Sequence, residues 1–207
     1  MDKQQKETVN ILKNGGIVIF PTDTAFGIGC RIDDEKAAGK LFEIRRRPET
    51  KATPVLVSGL EMAKNYWLDV PDIVVEKLIK PYWPGALTIV LPCKTEKVPD
   101  LVRGGGDTLG LRMPDSSLIQ EIIKEVGVPI IGTSANFAGG PSPYKFEDLD
   151  PELVKLVDYV LQFNSHPRPD RGSMDSRLRG NDNISTVIDC STMPWKILRN
   201  GAIKISI

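Results

Sequence analysis

The chain has 207 residues, of which 41% are hydrophobic and 26% are charged, and this composition excludes a disordered, collagenous or fibrous protein. Its 27 basic residues balance its 27 acidic residues, so the global basic excess typical of proteins that grip long nucleic acids is absent. A chain of this length favours a single domain, which we expect to span residues 1–207.

The hydrophobic pattern predicts helices and strands that interleave along the chain. We expect helices at residues 3–14, 34–46, 59–67, 71–80, 117–126 and 146–161, and strands at residues 17–20, 54–57, 87–91, 109–112, 128–131, 186–188, 197–198 and 202–205. The interleaving indicates an α/β fold. Residues 87–112 hold two strands with no helix between them, which favours a mixed sheet over a purely parallel one.

Residues 166–183 form a polar stretch that fits none of these elements. The stretch has almost no apolar residues and no periodicity, which is typical of a flexible loop. A loop of this length inside a compact domain is either a functional lid or an insertion.

Nothing in the sequence indicates a membrane protein or a secreted one. No apolar run approaches the ~20 residues of a membrane helix, and the first residues lack the apolar core of a signal peptide. We therefore expect a cytoplasmic protein that does not bind membranes.

Cysteine and histidine chemistry is not indicated. The three cysteines, Cys30, Cys93 and Cys190, are far apart and form no CxxC pair, so we interpret them as buried apolar residues. The one histidine, His166, lies in the polar stretch, which disfavours a Ser-His-Asp or Cys-His site.

Three polar clusters follow apolar segments, where ligands bind in open α/β sheets. Residues 21–24 (PTDT) could orient an ammonium or hydroxyl group, or only cap the next element. Residues 40–51 carry five basic and two acidic residues, which suits phosphate or carboxylate and equally a solvated helix end. Residues 133–136 (TSAN) with 139–143 could cradle a phosphate or form ordinary turns. No P-loop motif and no GxGxxG motif after a strand is present.

The joint order of these motifs is more specific than any one of them. Seven blocks follow one another at residues 19–29 (IFPTDTAFGIG), 45–48 (RRRP), 83–88 (WPGALT), 110–114 (GLRMP), 133–136 (TSAN) with 140–143 (GPSP), 185–189 (STVID) and 197–203 (ILRNGAI). In this order the chain resembles the YrdC-type threonylcarbamoyl-AMP synthases, from about residue 15 to residue 203. The resemblance is to the short, single-domain form. It implies that residues 166–183, which replace a segment of the family's pattern, are a flexible insertion.

The resemblance implies a twisted mixed sheet flanked by helices around a deep basic cavity. It also implies a reaction in which L-threonine and bicarbonate give a carbamate, which attacks the α-phosphate of ATP. The products are threonylcarbamoyl-AMP, pyrophosphate and water, and partner proteins then transfer the threonylcarbamoyl group to tRNA. Such catalysis depends on positioning and charge neutralisation, with Mg²⁺ assisting.

The resemblance also assigns roles to individual residues. Arg47 and Ser134 are the expected catalytic residues. The threonine or carbamate is expected to contact Thr24, Arg112, Ser134 and Ser185, with Thr22 close by, and the nucleotide to contact Arg45, Arg47, Lys51, Asn136, Tyr144 and Arg199. No side chain is assigned as a metal ligand. Arg45 replaces a lysine of the family's Lys-x-Arg motif, which keeps the charge and changes the shape.

Two other functions remain open from the sequence. The first is a module of the same fold that binds double-stranded RNA without catalysis. The basic run at residues 45–51 favours such binding, at least weakly, and the zero net charge counts against it. The second is a carbamoyl-transfer role, since related domains occur in hydrogenase maturation proteins. Those proteins are much longer chains with zinc-finger segments, which this chain lacks.

Overall fold

Two mixed β-sheets covered by helices make up the computed structural model, which describes residues 1–162 and 184–205. The expected insertion at residues 166–183 lies outside the described residues. That residues 1–207 form one domain stays a prediction.

Eight α-helices are found in the described parts of the chain. They are α1 (Lys3–Lys13), α2 (Glu35–Ile44), α3 (Leu60–Lys64), α4 (Asp72–Val74), α5 (Lys80–Tyr82), α6 (Asp100–Arg103), α7 (Ser117–Val126) and α8 (Pro151–Leu156). A π-helical turn (Val75–Ile79) joins α4 to α5, and 3₁₀ turns occur at Thr95–Lys97 and Phe146–Asp148. None of the helices in these described parts is long and apolar enough to cross a membrane.

Polar side chains set the starts of the two longest N-terminal helices. Asp2 accepts a hydrogen bond from the main-chain N–H of Gln5, and the Gln5 side chain reciprocates, so that α1 begins with a capping box. Asp34 accepts from the N–H of Ala37 at the start of α2. Helix α2 therefore begins at Glu35. Its C-terminal end, with Arg45 as the capping residue, lies against residues 133–136.

Ten strands are described, in two sheets. They are β1 (Val18–Phe20), β2 (Gly27–Gly29), β3 (Val55–Leu56), β4 (Leu87–Pro92), β5 (Thr108–Arg112), β6 (Ile130–Ile131), β7 (Thr133–Ser134), β8 (Tyr159–Val160), β9 (Thr186–Asp189) and β10 (Lys196–Arg199). The four-stranded sheet has the order β7-β2-β1-β8 and the six-stranded sheet the order β10-β9-β4-β5-β3-β6. The pairs β1–β8, β3–β5 and β4–β9 are parallel and the others are antiparallel.

One segment, residues 130–134, passes through both sheets. Its first half pairs with β3 and its second half with β2, and the N–H of Ile131 donates to the carbonyl of Cys30 at 2.8 Å. A Cβ on Gly29 would lie 1.6 Å from the Ile131 carbonyl oxygen, so only glycine allows the two backbones to come this close. The polar residues that follow are thereby placed where the sheets meet.

Apolar faces of the helices cover the sheets. The buried face of α7 comprises Leu118, Ile119, Ile122, Ile123 and Val126, which form a core cluster with residues of α1 and β1. Burying each such side chain stabilises the fold by about 1.5–3 kcal/mol. A second, larger cluster fills the space around the six-stranded sheet.

The predicted mixed α/β fold is confirmed, with the strands divided between two sheets. The helix predicted at residues 146–161 is wrong: the segment holds a 3₁₀ turn, α8 and β8. Its last residues are drawn into the sheet because Asp158 Oδ2 accepts from the N–H of Ile17 at 2.8 Å and β8 pairs with β1. Tertiary pairing thus overrides a helical pattern.

The strand predicted at residues 202–205 is also wrong. The buried hydroxyl of Thr186 holds this segment, since it donates to the carbonyl of Ile203 at 2.6 Å and accepts from the N–H groups of Gly201 and Ile203. Conversely, the pattern missed β2, because Gly27 and Gly29 lower the strand propensity of that segment.

Candidate functional site

A small cavity lies at the junction of the two sheets. Its volume is about 160 Å³, less than the ~300–1,000 Å³ of drug-sized ligand pockets. The residues that line it come from both ends of the chain: Thr22, Thr24, Ala25, Arg45, Arg47, Pro54, Leu56, Arg112, Gly132, Thr133, Ser134, Ser142, Ile184, Ser185 and Arg199. The cavity therefore suits a small polar ligand, or the polar part of a larger one.

Seven of the ten predicted site residues line this cavity: Thr24, Arg45, Arg47, Arg112, Ser134, Ser185 and Arg199. The other three lie outside the lining. Asn136 stands behind it, in contact with Arg45 and Ser134. Lys51 is exposed, and Tyr144, with 36% of its surface exposed, lies two positions after Ser142.

Arg45 is the buried end of α2 and is 3% exposed. Its Nη1 donates to Thr133 Oγ1 at 2.7 Å, while Nε and Nη2 donate to the main-chain and side-chain oxygens of Asn136, both at 3.0 Å. Burial, together with the positive charge of Arg47, lowers the pKa of Arg45 to about 10. Three of its five N–H groups thus organise the segment from Thr133 to Asn136.

A left-handed residue turns the chain between Arg45 and Arg47. Arg46 has φ = 53°, and its guanidinium lies 4.4 Å from the centre of the Phe137 ring, a cation–π contact. Since Arg46 faces outward, both flanking arginines reach the cavity. Arg47 donates to the carbonyl of Ala52 at 2.6 Å, and burial lowers its pKa.

Arg112, on β5, is held by a buried ion pair. Its Nη2 lies 2.6 Å from Asp23 Oδ1, and the two side chains are 7% and 8% exposed. Nε donates to the carbonyl of Gly85 at 2.9 Å and Nη1 donates to Thr24 Oγ1 at 2.9 Å. Burial lowers the pKa of Arg112 while Asp23 opposes that shift. One oxygen of the Asp23 carboxylate is therefore taken by Arg112, and Asp23 is absent from the lining of the cavity; that it orients a ligand ammonium stays a prediction.

The threonines of the PTDT turn brace one another. Thr22 Oγ1 donates to the carbonyl of Ala25 at 2.6 Å and accepts the N–H of Thr24 at 3.1 Å. The two hydroxyl oxygens are 3.1 Å apart. Because the Thr22 proton is taken by Ala25, the hydroxyl of Thr24 keeps a proton for Thr22 or for a ligand.

Ser134 is oriented by Asn136. Ser134 Oγ donates to Asn136 Oδ1 at 2.7 Å, and Asn136 Nδ2 donates to the carbonyl of Gly140 at 2.5 Å. This chain of bonds fixes the Ser134 proton on Asn136 and leaves the oxygen's lone pairs facing the cavity. Asn136 therefore orients Ser134 and Arg45 rather than lining the cavity itself.

Ser185 and Arg199 bring the C-terminal part of the chain to the cavity. Arg199 Nη2 donates to Ser185 Oγ at 2.8 Å and its Nε to the Ser185 carbonyl at 2.9 Å. Burial and the charges of Arg112 and Arg47 lower the pKa of Arg199. The arginines are thus close enough to repel one another.

The cavity has a positive electrostatic potential, which favours the binding of anions. Four guanidinium groups, those of Arg45, Arg47, Arg112 and Arg199, surround it, and Asp23 is paired with one of them. Desolvated cations without counter-ions are costly, and a bound anion offsets that cost. Among the described residues, neither histidine nor cysteine lines the cavity, and these residues contain no cluster of His, Cys, Asp or Glu side chains able to hold a metal ion.

A larger concavity, of about 840 Å³, lies elsewhere and is acidic. Its charged residues are one lysine and five carboxylates, namely Lys97, Asp33, Glu35, Glu49, Glu96 and Asp100. None of the ten predicted site residues lines it. Its negative potential disfavours anions, so it does not compete with the basic cavity as a site for phosphate or carboxylate.

The sequence analysis missed two contributors to the site. Thr133 was included only as part of the TSAN motif, and no signal marked its hydroxyl as the partner of Arg45. Thr88 is 1% exposed and lies with its Oγ1 3.0 Å from Ser185 Oγ. A polar residue at the second position of the apolar strand β4 was the available signal.

Comparisons with known proteins found similar sequences and a similar fold. A family model described as "Sua5_yciO_yrdC: Telomere recombination" matches residues 10–201. The threonylcarbamoyl-AMP synthase of Bacillus subtilis (strain 168) is 35% identical over 161 residues, covering 76% of this chain and 46% of that protein. The synthase of Xanthomonas campestris pv. campestris (strain B100) is 36% identical over 155 residues, covering 74% and 82% respectively.

Among solved structures, P. abyssi Sua5 complexed with L-threonine superimposes with a TM-score of 0.79 at 28% identity. The match covers 94% of this chain and 53% of that one. The chain thus spans about half the length of the B. subtilis and P. abyssi relatives.

Proposed function

The chain belongs to the Sua5, YciO and YrdC family, and on that premise we propose that it is an L-threonylcarbamoyladenylate synthase, a nucleotidyltransferase. The substrates are L-threonine, bicarbonate and ATP, and the products are threonylcarbamoyl-AMP, pyrophosphate and water. The observation that carries the proposal is the basic cavity, in which cations and hydroxyls from both ends of the chain converge.

The first part of the proposal concerns the amino acid. A cavity of about 160 Å³ suits threonine or its carbamate better than a whole nucleotide. Thr24, Arg112 and Ser185 provide hydroxyl and guanidinium donors for carboxylate and hydroxyl groups. Their positions are fixed by Asp23 and Arg199, so that the ligand meets donors already in place.

The second part concerns the nucleotide. Arg47 and Ser134 are the proposed catalytic residues, with Arg45, Arg199, Lys51, Asn136 and Tyr144 on the nucleotide side. A carbamate oxygen attacks the α-phosphorus of ATP, the bond to the β-phosphate oxygen breaks, and pyrophosphate leaves. The reaction needs no protein nucleophile, because positioning the carbamate against ATP and neutralising the phosphate charge lower the activation barrier.

Mg²⁺ is proposed to enter with the nucleotide. The lining side chains are guanidinium, hydroxyl and apolar groups, which suit phosphate oxygens better than a divalent cation. Phosphate oxygens are therefore the proposed ligands of the ion, which would supply further charge neutralisation.

The same proposal includes partner proteins and a cellular compartment. The product is an unstable mixed anhydride, so we propose partner proteins that transfer the threonylcarbamoyl group to tRNA in the cytoplasm. Binding of double-stranded RNA as the main function is disfavoured, because Arg45 and Arg112 line the cavity and are only 3% and 6% exposed, out of reach of a duplex surface.

The test is pyrophosphate release by the purified chain. We expect release only when ATP, threonine and bicarbonate are all present, with the mixed anhydride detected by mass spectrometry. Pyrophosphate released equally without threonine would contradict the proposal, as would a chain that binds duplex RNA and releases none.

A further inference from the structure

A buried hydroxyl pair lies directly behind the cavity. Thr88, on β4, is 1% exposed and does not line the cavity, whereas Ser185 is 6% exposed and does. Their hydroxyl oxygens are 3.0 Å apart, and 97 positions separate them in the chain. The pairing of β4 with β9 brings them together, since Leu87 is in register with Thr186.

The number of protons and lone pairs on each hydroxyl decides which of the two donates the hydrogen bond. A serine or threonine hydroxyl has one proton and two acceptor lone pairs. In the described parts of the chain, Ser185 is the hydrogen-bond partner found for Thr88 Oγ1. If Ser185 donated to Thr88, the Thr88 proton would be buried with no acceptor and would carry the full desolvation penalty. Thr88 is therefore the donor.

The two lone pairs of Ser185 Oγ are then both occupied. One accepts from Thr88 and the other accepts from Arg199 Nη2 at 2.8 Å. Among the described residues no acceptor is found for the remaining proton of Ser185, which therefore points into the cavity that Ser185 lines. A hydroxyl held in this way can donate to a ligand and cannot accept from one.

We propose that Thr88 is a positioning residue that makes Ser185 an obligatory hydrogen-bond donor to an anionic oxygen of the ligand. This assignment rests on the proposed function, under which that oxygen belongs to the carboxylate of the amino-acid substrate. Thr88 touches no ligand itself and acts only through Ser185. The arrangement favours a carboxylate over any group that would need Ser185 as an acceptor.

The experiment compares Thr88→Val, Thr88→Ser, Ser185→Ala and the double variant Thr88→Val/Ser185→Ala. Valine keeps the shape of threonine and removes its hydroxyl, while serine restores the hydroxyl. We expect Thr88→Val to raise the KM for threonine about three- to tenfold with kcat within about twofold, and Thr88→Ser to stay within about twofold of the wild type. In the Ser185→Ala background the valine substitution should have no further effect.

Thr8→Val is the matched control. Thr8 is 0% exposed, and its hydroxyl donates to the carbonyl of Gln4 within α1, away from the cavity. We expect it to change stability without changing the KM for threonine. If Thr88→Val does not fold, Thr88→Ala replaces it in the same cycle.

Two kinetic results would overturn the inference: an unchanged KM in Thr88→Val, or an equally large effect of the valine in the Ser185→Ala background. Calorimetry with inorganic phosphate on the same variants separates this inference from the proposed function. A wild type without threonine-dependent pyrophosphate release contradicts the function alone. Phosphate affinity that is absent, or equal in the wild type and Thr88→Val, contradicts the role of Thr88.

Discussion

Arg45 and Asn136 are joined by two hydrogen bonds, each 3.0 Å long, although 91 positions separate them in the chain. The same Asn136 side-chain oxygen accepts from Ser134 Oγ at 2.7 Å. The end of α2 and the segment after β7 therefore act as one unit, and the orientation of Ser134 depends on an arginine from the first quarter of the chain.

Arg45→Met should lower kcat/KM for threonylcarbamoyl-AMP formation at least tenfold, or ~1.4 kcal/mol of transition-state stabilisation. Methionine fills similar space and removes both the charge and the three hydrogen bonds. Arg45→Lys should fall between Met and the wild type, because an ammonium keeps the charge and cannot reproduce the planar fork. Steady-state pyrophosphate release measures all three proteins, and equal activity of the Met variant and the wild type would refute the role.

Arg47→Ala and Ser134→Ala should each depress the reaction by about tenfold or more while leaving the fold intact. Both side chains line the cavity, and neither belongs to the buried core. Pyrophosphate release gives the activity, and thermal unfolding gives the state of the fold.

The matched controls for these two variants are Arg31→Ala and Ser191→Ala. Arg31 pairs with Asp33 at the surface, and Ser191 bonds Asp189 beyond β9. We expect both controls to keep full activity. Full activity of Arg47→Ala and Ser134→Ala would show that the site is assigned to the wrong residues.

Asp23→Ala should destabilise the protein by about 3–5 kcal/mol, because it leaves the buried Arg112 guanidinium without its counter-ion. Asp33→Ala is the contrasting variant. Its pair with Arg31 is 40% and 27% exposed, and such exposed pairs contribute about 0–1 kcal/mol. Urea unfolding of both variants compares the two losses, and equal losses would argue against a structural role for the Asp23–Arg112 pair.

Thr53→Val should stabilise the protein by about 1 kcal/mol. Thr53 is 3% exposed, and its Oγ1 has no hydrogen-bond partner among the residues that the structure describes. Removing an unsatisfied buried hydroxyl removes its desolvation penalty. Thr186→Val should do the opposite, since that hydroxyl makes three hydrogen bonds. Melting temperatures that move in the same direction for both variants would contradict this explanation.

Affinity for pyrophosphate should fall as the pH rises through about 10. Burial, together with the charge of Arg47, lowers the pKa of Arg45 from its usual value to about 10. Above that pH Arg45 loses its proton and the cavity loses a positive charge, so anion binding weakens, whereas below about pH 9 the charge is complete. Calorimetry across this range measures the change, and Arg45→Met should lack this component of the pH dependence. An identical fall in that variant would assign the effect to another group.

Much of the fold follows from local pattern. The helix at residues 117–126 appears in the structure with the predicted bounds, because its apolar residues repeat at helical spacing and Gly127 ends it. The strands at residues 87–91 and 109–112 were equally plain as apolar runs. By contrast, residues 157–161 continue a helical pattern, and only their pairing with β1 turns them into a strand.

The site divides in the same way. The order of motifs along the sequence was sufficient to reveal the family resemblance, and that resemblance implied that Arg47, Ser134 and Arg199 share one cavity. Residue types and their order are properties of the chain alone. Which groups satisfy one another was decided by tertiary structure: Asp23 is taken by Arg112, Asn136 by Arg45, and Ser185 by Thr88. Hydrogen bonds act over about 3 Å, and only folding brings residues from distant parts of the chain within that range.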